Sequence, residues 1–130
     1  IIAVERDEDI VNLISHNCDR FGVKNVTIFK GNAPECFEEL RPLPDRICIE
    51  GGRPIKKILT EAWRFLKPDS RLVATAHTLE NLYLISEGLS ELQARNMEVV
   101  QAGVNRLETR GLNQVFAAVD PSFILSGEKF

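Results

Sequence analysis

The sequence predicts an α/β fold with a doubly wound, mostly parallel sheet. Short runs rich in β-branched and aromatic residues alternate with segments whose apolar residues recur at helical spacing. This alternation is typical of right-handed crossovers between parallel strands. The chain has 130 residues, of which 44% are hydrophobic and 27% are charged. These values predict a single domain with one core.

Capping residues and turn residues define the predicted elements. The first helix is expected to begin after Asp7, an N-cap residue, and to end at Gly22, which supplies a left-handed stop. The third long helix is expected to begin at Thr78. The predicted strands are residues 1–5, 25–29, 45–50 and 71–76, and the predicted helices are residues 7–21, a short acidic helix after Pro34, residues 54–66 and residues 78–94.

The last part of the chain breaks this alternation. Residues 97–107 and 122–127 have the composition of strands, and the segment between them shows no helical pattern. We therefore expect these two strands to pair antiparallel, as a hairpin with a long connection. The residues 120–123, Asp-Pro-Ser-Phe, are interpreted as a turn that starts the final strand.

Composition excludes several function classes. A net charge of −3 gives no global attraction to nucleic acid or to an anionic membrane. No apolar run approaches the roughly 20 residues that span a bilayer, so a cytoplasmic protein is expected. The three cysteines include no close pair, and His16 and His77 lie far from any carboxylate cluster at ligand spacing. Neither a disulfide framework nor a metal site is predicted.

Glu5, at the end of the first predicted strand, is the first candidate for ligand binding. A carboxylate at this position can accept hydrogen bonds from both hydroxyls of a ribose, because its two oxygens match the spacing of a cis-diol. The alternative is that Glu5 only begins the helix, where negative charge is favoured. The residues around it leave both interpretations open.

A succession of motifs resembles one family, the decarboxylating precorrin-6Y methyltransferases of cobalamin biosynthesis, and within it the C15-methylating domain. The resemblance covers essentially the whole chain, and the Gly-Gly after the third strand and the Thr-Leu-Glu after the fourth are its most specific parts. The motifs are Ala-Val-Glu-Arg-Asp (3–7), Phe-Gly-Val-Lys-Asn-Val (21–26), Gly-Asn-Ala-Pro (31–34), Pro-Asp-Arg-Ile-Cys-Ile-Glu-Gly-Gly (44–52), Ala-Trp-Arg-Phe-Leu-Lys-Pro (62–68), Arg-Leu-Val-Ala-Thr-Ala (71–76) and Thr-Leu-Glu-Asn-Leu (78–82).

The resemblance implies a Rossmann-like class I methyltransferase sheet that uses S-adenosylmethionine. It implies methylation of a tetrapyrrole, a precorrin, at C15 with loss of carbon dioxide from an acetate side chain, and a homo-oligomer. No catalytic residue is assigned. The family's first strand and Gly-rich loop would precede Ile1, so residues 1–130 are interpreted as one partial domain of a larger protein. We expect this piece to bind cofactor poorly and to associate or to gain a strand from a partner.

The same resemblance implies two sets of binding residues. Gly31 and Asn32 also fit a plain turn with positive φ, Thr78 also fits a helix cap, and Arg106 also fits a surface ion pair. Arg53-Pro54 and Ala-Thr-Ala-His (74–77) depart from the usual family pattern. The cofactor set is Glu5, Arg6, Gly31, Asn32 and Ala33, and the substrate set is Glu50, Gly51, Gly52, Arg53, Thr75, Thr78 and Arg106.

Two other functions share part of this pattern. An NAD-dependent oxidoreductase would share Glu5 and the parallel sheet, but it gives no reason for the terminal hairpin. A non-catalytic assembly module would fit a domain without its cofactor loop. Binding of S-adenosylhomocysteine, of NAD or of neither distinguishes the three functions.

Overall fold

The computed structural model describes residues 1–130, and the chain divides into two compact units, Ile1–Arg41 and Pro42–Phe130. Strands and helices alternate until the last two strands, which follow one another directly. The predicted α/β class, mostly parallel with an antiparallel C-terminal pair, is confirmed. The elements are β1 (Ile2–Glu5), α1 (Glu8–Arg20), β2 (Thr27–Lys30), a 3-10 helix (Glu35–Glu39), β3 (Arg46–Glu50), α2 (Ile55–Phe65), β4 (Ser70–Ala76), α3 (Leu79–Glu91), β5 (Arg95–Arg110) and β6 (Asn113–Lys129).

The first unit is a βαβ element. β1 and β2 pair in parallel, and α1 makes the connection between them. The predicted N-cap is confirmed, because the Asp7 carboxylate accepts hydrogen bonds from the amides of Asp9 and Ile10. This cap satisfies two amides that have no partner within the helix. β2 begins two residues later than the prediction, at Thr27.

The second unit contains a four-stranded sheet in the order β3-β4-β6-β5. β3 and β4 are parallel, whereas β6 is antiparallel to both of its neighbours. Burial alternates strictly along β4, so that Leu72, Ala74 and Ala76 are buried while Val73 and Thr75 on the other face are half-buried. α3 packs against β4 and β6, and α2 packs against α3. The largest fully buried side chains of this core are Leu59, Leu66, Leu72, Ile85, Leu89 and Leu125.

The terminal hairpin is longer than predicted, and its connection is short. Arg110 pairs with Asn113, so a two-residue turn replaces the expected long loop. The interpretation of residues 120–123 as a turn is also wrong, because they lie within β6. Ala102 pairs with Ser122 and Val104 with Val119, so two residues of β6 oppose one of β5. This β-bulge accommodates Pro121, which has no N–H to donate to a ladder.

No helix of the chain combines the length and the apolar composition that a membrane crossing requires.

Candidate functional site

In the first unit, the carboxyl ends of β1 and β2 lie side by side. Glu5 is the last residue of β1, and its carbonyl accepts a hydrogen bond from the amide of Gly31, just after β2. One carboxylate oxygen of Glu5, Oε1, accepts from the amides of Arg6 (2.7 Å) and Asp7 (2.9 Å). The side chain is thereby fixed at the strand end with its second oxygen, Oε2, free to accept. Glu5 therefore shapes the entry to α1 and also offers an acceptor to a ligand, so the two alternatives are compatible.

Gly31 is glycine for reasons of space rather than of backbone conformation. Neither Gly31 nor Asn32 has a positive φ, so the expected turn with positive φ is wrong. A Cβ at residue 31 would lie 2.8 Å from the Cβ of Cys36 and 2.8 Å from Cε1 of Phe29. The side chain of Cys36 is buried at this point, and desolvation raises its pKa above the ordinary value.

The other three predicted cofactor residues differ in their surroundings. Asn32 is exposed, and its side-chain amide donates to Oε2 of Glu35 at 2.7 Å, which leaves the amide oxygen available. Ala33 is half-buried beside the 3-10 helix, and Arg6 is exposed after β1. Glu5, Gly31 and Asn32 therefore lie along one edge of this two-stranded sheet, at the carboxyl ends where ligands of α/β sheets bind.

In the second unit, β3 ends in a sharp turn. Gly51 and Gly52 have φ values of 78° and 100°, which non-glycine residues rarely adopt. A Cβ on Gly52 would also lie 2.7 Å from Cδ1 of the buried Ile58, whereas nothing lies within 4 Å of one on Gly51. Glu50 and both glycines are exposed. The turn thus presents bare backbone at the carboxyl end of β3.

Three basic residues, Arg53, Lys56 and Lys57, follow this turn, and Lys56 is paired with acidic side chains. Lys56 makes ion pairs of 3.1 Å with Glu87 and 3.0 Å with Glu91, both on α3. These hydrogen bonds raise the pKa of Lys56, while Lys56 and then Tyr83 lower the pKa of Glu87. Lys56 therefore joins two helices. Arg53 remains exposed next to the turn, and it could meet a carboxylate of a ligand.

Thr75 and Thr78 lie on either side of the end of β4. The predicted cap is confirmed, since Thr78 Oγ1 accepts from the amide of Asn81 at 3.2 Å. Thr75 pairs with Glu50 in the register of β3 and β4, and its Oγ1 is buried without a hydrogen-bond partner. A buried hydroxyl without a partner is costly, and in a native protein it requires an explanation.

Arg106 lies apart from these residues. It is exposed in β5 opposite Ala117, four residues beyond Ala102 along the strand. At about 3.3 Å per residue this is roughly 13 Å from the level of Ser122, the partner of Ala102. The structure groups Glu50, Gly51, Gly52, Arg53 and Thr75 at one end of the sheet, and it places Arg106 on the projecting hairpin.

One pair at this end of the sheet was missed by the sequence reasoning. His77 follows the last residue of β4, and its Nδ1 lies 3.1 Å from Oγ of Ser122 on β6. Interpreting residues 120–123 as a turn concealed the pair, because Ser122 was not expected beside β4. Two adjacent polar residues at the carboxyl end of a strand were the available signal. No three His, Cys, Asp or Glu residues are placed to hold a metal ion.

Comparisons with known proteins identify relatives over nearly the whole chain. It is 28% identical over 131 residues to the probable cobalt-precorrin-6B C(15)-methyltransferase (decarboxylating) of Saccharolobus solfataricus, covering 99% of this chain and 66% of the relative. The cobalt-precorrin-6B C(15)-methyltransferase (decarboxylating) of Salmonella typhimurium is 28% identical over 130 residues, with 99% and 66% covered. The chain thus spans about two thirds of the length of these relatives.

The fold is shared with solved structures. The crystal structure of precorrin-6y C5,15-methyltransferase from Geobacter metallireducens superposes with a TM-score of 0.88 at 30% identity, covering 99% of this chain and 68% of that one. A family model described as the precorrin methyltransferase domain matches residues 1–127. The predicted resemblance is confirmed: this chain belongs to the precorrin methyltransferase domain family.

Proposed function

We propose that the protein is an S-adenosylmethionine-dependent C-methyltransferase that acts on a precorrin in cobalamin biosynthesis. It methylates C15 and removes carbon dioxide from an acetate side chain. The names of its relatives support this reaction. In this proposal residues 1–130 are part of one methyltransferase domain, and the protein is cytoplasmic.

The geometry of Glu5 is the observation that carries the proposal. Two backbone amides fix one oxygen of its carboxylate at the tip of β1, and the other oxygen makes no hydrogen bond. With Oε1 occupied by these two amides, the two lone pairs of Oε2 remain to accept from the hydroxyls of a ribose. The backbone after β2 carries the small residues Gly31 and Ala33, and in this proposal a flat adenine ring lies against it. These residues fit S-adenosylmethionine, and Arg6 and Asn32 would line the same pocket.

Binding and orientation are the main tasks of the residues in this mechanism. When bound, S-adenosylmethionine supplies a methyl group on a positively charged sulfur, which a carbon nucleophile attacks directly. Alignment of the reacting atoms then provides most of the acceleration. The bare backbone of Gly51 and Gly52 admits a flat macrocycle, and Arg53 pairs with a carboxylate on its rim. Glu50, Thr75 and Thr78 are the other proposed substrate contacts, whereas Arg106 is left out of this set because it lies apart on the projecting hairpin.

Calorimetric titration tests the cofactor. The protein expressed from its complete gene is titrated with S-adenosylhomocysteine and, separately, with NAD. We expect saturable binding of S-adenosylhomocysteine and none of NAD. The reverse result would favour an oxidoreductase, and binding of neither would favour a non-catalytic module. Residues 1–130 alone, titrated in parallel, test the expectation that this piece binds cofactor poorly.

Turnover tests the reaction. The same protein is incubated with S-adenosylmethionine and precorrin-6B, with and without cobalt, and the products are followed by mass spectrometry. We expect one methyl group to be gained and one carbon dioxide to be lost. A methylated product that keeps the acetate carboxylate would contradict the decarboxylating part of the proposal.

We also propose that the protein is a homo-oligomer that assembles through the end of its terminal hairpin. The outer ribbon, residues 104–119, pairs with no strand other than its own two. It exposes 79% of Phe116 and 57% of Leu107, which are cross-strand partners. Two strands alone are marginally stable in water, and their free edges invite pairing.

A second copy of the chain suits this ribbon better than an unrelated partner. Its three charged residues are Arg106, Glu108 and Arg110, and the last two form an ion pair of 3.1 Å, so identical ribbons repel little. Each ribbon extends roughly 20–25 Å at about 3.3 Å per residue. A two-fold arrangement then satisfies both free edges and both apolar surfaces at once.

A further inference from the structure

His77 and Ser122 form a polar pair at the carboxyl end of β4. Ala76 pairs with Phe123, and the pair lies immediately beyond this last rung of the ladder. Ser122 Oγ is 3.1 Å from His77 Nδ1. His77 is exposed and Ser122 is half-buried, so the imidazole is held from one side and open on the other. Neither residue belongs to the two proposed binding sets.

The pair shares its sheet face with other polar groups. Side chains two residues apart in a strand lie on the same face, so Ser122, to which His77 is bonded, lies on the face of Ile124. Thr75 pairs with Glu50 on one side and with Ile124 on the other. The edge of this face therefore carries a carboxylate, a hydroxyl and an imidazole. The buried Oγ1 of Thr75 has no partner within the chain.

This arrangement fixes the orientation of the imidazole for proton transfer. In the protonated ring, Nδ1–H donates to Ser122 Oγ and Nε2–H remains as a second donor. After Nε2 has released its proton, Nδ1–H still donates to the same hydroxyl. The ring can therefore give up one proton without losing its anchor. Imidazole is also the side chain best suited to proton exchange near neutral pH.

We infer that His77 donates the proton that completes decarboxylation, and Ser122 positions it; this role rests on the proposed function. The bond between the side-chain methylene and its carboxylate breaks, and carbon dioxide leaves. The electron pair of that bond passes through the ring system, and the methylene carbon takes a proton from Nε2 to become a methyl group. His77 ends neutral, and water restores its proton. The step needs no oxidant or reductant.

The variant His77→Asn tests this role in the protein expressed from its complete gene. Asparagine can still form a hydrogen bond to Ser122, but its amide does not transfer a proton near neutral pH. We expect the rate of formation of the decarboxylated product to fall by about 10²- to 10⁴-fold, the usual contribution of a general acid. The affinity for S-adenosylhomocysteine should stay unchanged. His16→Asn, at the other histidine, which is exposed on α1, is the matched control and should keep full activity.

Chemical rescue separates proton transfer from a structural role. In His77→Ala, added imidazole should restore part of the decarboxylation rate, whereas an equal concentration of an unreactive amide should not. Ser122→Ala should lower the rate by about tenfold, because the ring loses its orientation.

Three other results of these experiments would contradict the role of His77 or the proposed function. A full decarboxylation rate in His77→Asn would overturn this role while the proposed function stands. A loss in His77→Ala that imidazole does not restore would reduce His77 to a structural residue. If the unaltered protein does not turn over a precorrin at all, the proposed function itself fails, and this role fails with it.

Discussion

Arg71 of β4 and Glu128 of β6 are Cα partners in the antiparallel register, and their side chains meet with 2.7 Å between Nη2 and Oε1. The network continues on both sides. Arg71 Nη1 donates to Glu98 Oε2 at 3.1 Å, and Asn96 Nδ2 donates to Glu128 Oε2 at 2.6 Å. Four residues from three strands are thereby joined at the end of the sheet opposite His77.

This network predicts a loss of stability in acid. Arg71 and then Asn96 lower the pKa of Glu128 below its ordinary value of 4.5. The unfolded chain therefore binds the proton more readily than the folded chain. The contribution of Glu128 is present above pH 4.5 and disappears as the pH falls through its lowered pKa. Glu87, whose pKa Lys56 and then Tyr83 lower, adds an effect of the same sign.

Thermal unfolding of Glu128→Gln as a function of pH measures this effect. The variant should have a lower Tm than the unaltered protein at pH 7, and the difference should shrink as the pH falls below 4.5. Glu39→Gln, at an exposed carboxylate at the end of the 3-10 helix, is the control. A difference in Tm that stays constant with pH would contradict the prediction.

Close packing around Gly127 predicts that a larger residue at this position lowers the stability of the fold. A Cβ at this position would lie 2.8 Å from the Cβ of Ala94, which cannot move without its backbone. Gly127→Ala should therefore lower the free energy of unfolding by about 1–3 kcal/mol, as overpacking usually does. Denaturant titration is the measurement. Gly103→Ala is the matched control in a strand, because nothing lies within 4 Å of its Cβ.

The double variant Gly127→Ala with Ala94→Gly tests the cause of that cost. Removal of the opposing Cβ should make the effect of Gly127→Ala smaller than in the unaltered chain. Equal effects in both backgrounds would show that Ala94 is not the obstacle.

Because one carboxylate oxygen of Glu5 is free, we expect that removal of its charge weakens the binding of S-adenosylhomocysteine. Glu5→Gln keeps an acceptor for the amides of Arg6 and Asp7 but removes the charge. Hydrogen bonds to charged groups are worth about 1.5–3 kcal/mol, so S-adenosylhomocysteine should bind about 10- to 100-fold more weakly. Calorimetry gives the Kd. Asp19→Asn, at an exposed carboxylate near the end of α1, is the control, and an equal loss there would indicate a general effect of charge.

The exposed apolar residues of the outer ribbon predict that a charge placed among them prevents the proposed association of copies of the chain. Phe116→Glu puts a charge on a side chain that is 79% exposed, so it should cost the monomer little and should separate the copies. Light scattering coupled to gel filtration gives the mass. Phe21→Glu, at a phenylalanine that is 73% exposed but lies outside the ribbon, is the control and should leave the mass unchanged. A mass that Phe116→Glu leaves unchanged would remove the ribbon from the interface.

The helices could be predicted from sequence because their signals are local. α1 has its cap at Asp7 and a glycine just after its end, and α2 follows a regular apolar repeat. Strand β4 was predictable because its apolar run lies between Lys67-Pro68, which ends one helix, and Thr78, which begins the next. The outer ribbon gave no such signal, since nearly all of its residues are exposed on both faces. Hydrogen bonds between its own two strands form it, and these do not appear as alternation of apolar residues.

The residues of the candidate site also divide into those with a local signal in the sequence and those without one. Thr78 caps α3 as its position in the sequence indicated, whereas the hydrogen bonds from the amides of Arg6 and Asp7 to Glu5 were not predicted. The turn with positive φ that was expected at Gly31 was wrong. Glycine is needed there because of the nearby side chain of Cys36, and turn propensities do not reveal such a contact. His77 and Ser122 are separated by 45 residues, and they meet only because β6 inserts between β4 and β5. Strand order is a property of the whole fold, so no local pattern could indicate this pair.

The β-bulge at Asp120 and Pro121 has a consequence for how this domain can diverge. Before the bulge, β6 pairs only with β5, and after the bulge it pairs with β4 on one side and β5 on the other. Residues added or deleted in cross-strand pairs within the ribbon change its reach but leave the rungs at Ser122 and Phe123 where they are. The proposed assembly and the proposed proton transfer therefore depend on separate parts of this hairpin, the first on its length and the second on the identity of its side chains.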